Sequence, residues 1–101
     1  MADRAALKAQ VMATHWADLA QHFARGGLLV AASDQDLLDA AAAIADDDTA
    51  VVEKMLEEGS LRRASDQDAK TWNSLPDARF QFLVLQPFVL TQLIEDQSLS
   101  S

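Results

Sequence analysis

The chain has 101 residues, half of them hydrophobic, no cysteine and a net charge of −8. This is the length of one ordinary domain, and the apolar share is too high for a disordered chain. The lack of cysteine excludes disulfides, thiolate metal sites and thiol catalysis, and the negative charge disfavours nucleic acid and anionic membrane surfaces, which recruit lysine and arginine.

From Asp3 to Arg25 the apolar residues Leu7, Val11, Met12, Trp16, Leu19 and Phe23 recur at helical spacing. A break near Thr14 and His15 is expected, with Thr14 capping a second helix. Arg25-Gly26-Gly27 closes that helix, because glycine accepts the left-handed backbone of a helix end. Leu28 to Ala31 is too short for a helix and reads as a buried strand. Ser33, with Asp36 three residues on, forms an imperfect capping box for a helix from Asp34 to Ala45 that buries Leu37, Ala41, Ile44 and Ala45. Asp46-Asp47-Asp48 reads as a turn, with Asp47 or Asp48 capping a helix from Thr49 to Glu58. Val52, Met55 and Leu56 make the apolar face of this helix, and Gly59 stops it.

Ser60 to Arg63 is expected to be extended, and Ser65 with Asp68 caps a short helix to about Ser74 that buries Ala69 and Trp72. Pro76-Asp77 marks a turn. Arg79 to Gln86 carries the clearest strand signal: Phe80, Phe82 and Val84 alternate onto one face and Leu83 and Leu85 onto the other, as in a strand covered on both sides. Pro87 requires a bulge or an edge, since it has no N–H for a ladder. Phe88 to Glu95 fits either a strand or a helix begun by Pro87, and the strand is preferred.

These elements predict a single α+β domain over residues 1–95 and a disordered tail over 96–101. Helices pack on a small, mainly antiparallel sheet built around Arg79 to Gln86, with Leu28 to Ala31 and Ser60 to Arg63 as its neighbours. The two helices either side of the aspartate triplet form a helix-turn-helix-like pair. Met1 to Lys8 lacks the apolar stretch of a signal peptide, and the apolar run from Phe82 to Leu90 is too short to span a bilayer, which together point to the cytoplasm.

The segments RGGLLV, DLLDAAAAIADDDTAVVEKMLEEGSLRR and WNSLPDARFQFLVLQPFVL resemble the bacterial family known as domain of unknown function 2288, over roughly residues 10 to 92. The most specific parts are AIADDD, the glycine before a short arginine strand, and the FQFLVLQPFVL run. The resemblance implies a small bacterial cytosolic protein and transfers no activity and no functional residue.

Each polar feature has a structural use that competes with a chemical one. Asp46, Asp47 and Asp48 are consecutive, so their side chains diverge, whereas a calcium loop alternates its ligands and needs a glycine turn. His15 and His22 lie about two helical turns apart, roughly 10 Å, too far to share one zinc ion. Ser33, Ser60, Ser65 and Ser74 sit at caps and turns, and no nucleophile elbow is present. Gly26-Gly27 precedes a strand, the wrong order for a phosphate loop. No catalytic, metal or cofactor residue is therefore assigned, and none of these groups is expected to make the chain an enzyme.

What remains is an interaction or regulatory module. Residues 28–48 carry six aspartates and no lysine or arginine. Asp34, Asp36, Asp39, Asp46, Asp47 and Asp48 are accordingly the candidate docking residues for a basic protein partner. Arg62 and Arg63, an adjacent basic pair, are candidates for an anion or an acidic surface. The alternative is a winged-helix-like nucleic-acid binder, with Leu61-Arg62-Arg63 beginning the wing. Its recognition helix would offer Lys54 against Glu53, Glu57 and Glu58, which is the wrong chemistry for phosphates and base edges. An exposed apolar edge along Phe88 to Ile94 would permit homodimerisation by strand addition.

Overall fold

The computed structural model describes residues 3–75, 77–85 and 88–94. The expectations for the Pro76 turn, for Pro87 and for the 96–101 tail concern residues outside that set. In chain order the elements are α1 (Arg4–Gln10), β1 (Met12–His15), α2 (Trp16–Ala24), β2 (Leu28–Ala31), α3 (Leu37–Ala45), α4 (Thr49–Glu58), β3 (Leu61–Arg63), α5 (Asp66–Asn73), β4 (Arg79–Leu85) and β5 (Phe88–Ile94). This is an α+β fold.

The strands form one sheet in the order β1-β4-β5-β2-β3. Three of its four pairings are antiparallel, and β2 with β5 is parallel. Alternation along the strands divides the core into two halves. Leu29, Ala31, Leu61, Leu83, Leu85 and Leu90 face α1, α3 and α4. Leu28, Val30, Phe80 and Val89 face α2 and α5 with Trp16, Leu19 and Trp72. Burial on both faces is why β2 is apolar at every position.

The expected edge at Phe88 to Ile94 is corrected by this order. β5 is the middle strand, hydrogen-bonded to β4 on one side and β2 on the other, so its backbone edges are occupied. The outer strands are β1 and β3. The neighbours of β4 are likewise β1 and β5, not the strands at Leu28 and Leu61.

The first segment also departs from expectation. The break near Thr14 is a four-residue strand, β1, paired with β4 from Met12↔Phe82 to His15↔Arg79. His15 occupies the N-cap of α2 without a side-chain cap bond, and the Thr14 hydroxyl instead donates to Asp18 at 2.6 Å. At α3 the cap is Asp36, whose carboxylate accepts from the Leu38 and Asp39 N–H groups, so Ser33 lies in the preceding turn and the helix starts three residues later than the serine suggests. Asp48 caps α4 and Ser65 with Asp68 forms a full capping box on α5, as the sequence indicates.

Asp68 also pairs with Arg62 across from the edge strand. Partial burial works to raise the Asp68 carboxyl, but the Arg62 guanidinium and the Ser65 N–H and hydroxyl outweigh it and hold the group below the ordinary carboxylate range. A group lowered in the folded state stabilises above its unfolded pKa, and that contribution disappears as pH falls through the lowered value. Asp68→Asn is therefore expected to cost about 0.5–1 kcal/mol at pH 7. Urea titrations in acid should show the gap between the two proteins closing; a pH-independent gap would remove the ionic contribution.

Candidate functional site

The eight sequence-predicted site residues do not form one surface. Asp36 and Asp48 are N-caps, and Asp39 pairs with Arg4, joining α3 to α1. Asp34 is exposed in the turn before α3, and Asp46 ends that helix. The basic pair is split by strand alternation: Arg62 meets Asp68 of α5, while Arg63 points to the opposite side of the sheet and donates to the Gly26 carbonyl at 3.3 Å. Neighbours in sequence thus serve separate faces.

Asp47 and Arg63 are brought together with residues the sequence had marked as core. They line a groove of about 230 Å³ between α4, the end of α3 and the sheet. Its apolar walls are Leu29, Ile44, Val52, Leu56, Leu61 and Phe88, and Thr49 and Glu53 complete the polar rim. Neither histidine lines it. Thr49, Val52, Glu53 and Leu56 reach it together because positions three and four apart share one side of a helix.

The groove lies open because α4 covers this part of the core incompletely. This helix contributes no fully buried residue. Val52 and Met55 pack against the core, whereas Val51 is 39% exposed and Leu56 46% exposed. The sequence places Leu56 on the apolar face but cannot show that the sheet beneath ends at the three-residue strand β3 before covering it. Glu53 carried no signal beyond its place one turn before Leu56.

Asp47 has the one positive φ, 55°, among the described non-glycine residues. Its N–H bonds the Ile44 carbonyl and the Asp48 N–H bonds the Ala43 carbonyl, the Schellman closure of α3. The same pair of bonds closes α4 at Gly59, where φ is 81°. Glycine takes this backbone without steric penalty; aspartate tolerates it at a cost. Among the described residues no three His, Asp or Glu groups are placed to hold a metal ion, and no helix is long and apolar enough to cross a membrane.

A solved structure described as the NMR solution structure of PA1075 from Pseudomonas aeruginosa is similar to this fold, with a TM-score of 0.80 and 30% sequence identity over 90% of this chain and 83% of that one. No curated protein matches the chain. A family model matches residues 3–93, almost the whole length, so the chain belongs to the family described as Protein of unknown function (DUF2288).

Proposed function

We propose that the domain is a non-catalytic protein–protein interaction or regulatory module of the cytoplasm that docks a partner in the groove beside α4. The observation that supports this reading is the exposure of Val51 and Leu56 on a helix with no fully buried side chain, next to an apolar-walled cleft. Apolar side chains gathered at a surface cleft, with charges around them, are the usual form of an anchoring site for another molecule. Small-molecule sites occupy roughly 300–1,000 Å³. At about 230 Å³ this groove is better sized for one or two side chains of a protein.

The nucleic-acid alternative draws on the order α3, turn, α4, β3, which has the sequence of a helix-turn-helix and wing. Against it, α4 turns Val52 and Met55 onto the core and carries Lys54 among three glutamates. Mobility shifts across salt concentrations address that alternative directly, since phosphate-driven binding weakens steeply with salt.

Leu56→Asp is the test of the docking reading. The side chain is already half in water, so the substitution is expected to cost no more than about 1 kcal/mol of stability and to abolish retention of the partner in quantitative affinity capture. Val84→Asp, at a comparably exposed position on β4, serves as the control and should retain it. Equal retention by the Leu56 variant and the wild type would discard the groove as the docking site.

A further inference from the structure

Resting on that docking reading, we infer that the groove's occupant is a basic amphipathic segment of another protein, with an apolar anchor and a lysine or arginine within about one helical turn of it. The apolar walls call for the anchor, and the rim calls for the charge. Asp47 and Glu53 both line the groove, and neither forms an ion pair among the described residues. Arg63, the cation of the groove, already donates to the Gly26 carbonyl. Among the residues lining the groove, the two carboxylates of Asp47 and Glu53 outnumber the one guanidinium, so its rim is negative on balance.

The same charge argues against a second copy of this chain as the occupant. A protein of net charge −8 bringing its own acidic groove to another would place like charges together. An acidic or neutral segment would satisfy the walls and leave the rim carboxylates unpaired.

The backbone at Asp47 offers a way to test the carboxylate apart from the fold. α2 and α4 end in left-handed glycines, Gly26 and Gly59, whereas α3 ends in a left-handed aspartate. Glycine would adopt this conformation more readily, yet the position facing the groove carries a carboxylate.

The probe is a fluorescein-labelled helical peptide of leucine and lysine with its leucines on one face, compared with a leucine and glutamate peptide of equal length. The Leu/Lys peptide is expected to bind, to weaken as salt rises, and to shift backbone amide resonances of Thr49 to Arg63 and Asp46 to Asp48. Glu53→Lys is expected to weaken it about tenfold. Asp47→Gly separates binding from folding: the melting temperature rises as the strain is relieved, while peptide affinity falls.

Equal binding of the two peptides, unchanged affinity in Glu53→Lys and Asp47→Gly, or shifts mapping to another face would each overturn the inference. A partner captured by the wild type, lost in Leu56→Asp but kept by Glu53→Lys, would overturn the charge requirement and leave the docking reading standing. A partner kept by Leu56→Asp would remove both.

Discussion

Phe80→Ala is expected to destabilise the domain by about 3–5 kcal/mol, the range for truncating a buried aromatic side chain. Phe80 is wholly buried on β4 and meets both tryptophans: its ring centroid lies 5.0 Å from Trp72, edge-on, and 6.3 Å from Trp16. Trp16 and Trp72 are themselves 5.1 Å apart, and the Trp16 indole N–H donates to the Asn73 side chain at 3.0 Å, so α2 and α5 are joined to the sheet through this cluster. Removing the central ring leaves a void bounded by rigid aromatic groups that cannot collapse to fill it. For a domain with about 5–15 kcal/mol of total stability, such a loss takes a large share. Urea unfolding followed by tryptophan fluorescence measures it. A loss below about 1 kcal/mol would mean that this half of the core is not packed as described.

The second large effect is expected at Gln92, on the other face of the sheet. This side chain is buried in β5, and its amide nitrogen donates to the carbonyls of Ala32 at 2.7 Å and Gln35 at 2.6 Å, while its oxygen accepts from Gln81 at 2.8 Å. One amide thus secures the connection between β2 and α3 to the middle of the sheet. Gln92→Glu keeps the shape and reverses the chemistry, because an ionised carboxylate cannot donate to either carbonyl. The expected cost at pH 7 is about 3–5 kcal/mol, from two unpaired acceptors and a buried charge facing them. Burial raises the new carboxyl's folded pKa above its unfolded value, so the ionic part of the penalty is absent below the unfolded pKa and grows as pH rises through it. The single O–H of the protonated form still leaves one carbonyl without its donor. The variant should therefore approach the wild type in acid and fall away from it towards neutrality. An equal deficit at every pH would show that the carboxylate's ionisation plays no part. Gln92→Met would separate the lost donor from the added charge.

These two residues also show what a sequence conveys. Phe80 was legible as core because the alternation of Phe80, Phe82, Leu83 and Leu85 is a local pattern, and β4 followed from it. The Asp48 and Ser65–Asp68 caps and the Gly59 stop were legible for the same reason, since each is settled within a few residues. Gln92 was not, because its acceptors lie 60 and 57 residues away in the chain. β1 was hidden by its surroundings: Leu7, Val11, Trp16 and Leu19 keep helical spacing across it, and three of its four side chains are exposed, so the strand adds no alternating signal of its own. Ser33 reads as the cap with Asp36 as its partner in the box, and only the bonds made by the Asp36 carboxylate show that Asp36 is itself the cap.

The groove was half legible. The acidic segment pointed to Asp47, and Arg63 stood out as a cation, but their meeting depends on α4 lying across β3. Leu56 looked like core because helix periodicity reports which residues share a side and not whether anything lies beneath that side. Arg62 and Arg63, adjacent in sequence, were read as a pair and are separated by the two-residue period of the strand that carries them.

Amide hydrogen exchange shows most directly whether the cleft beside α4 is where this domain meets a partner. Exchange is compared between the free domain and the same domain saturated with the species recovered by affinity capture. Slowed exchange concentrated in residues 46–63, with β1 and α2 unchanged, is the predicted result. Protection centred on β1 and α2, with α4 exchanging as fast as in the free protein, would contradict it.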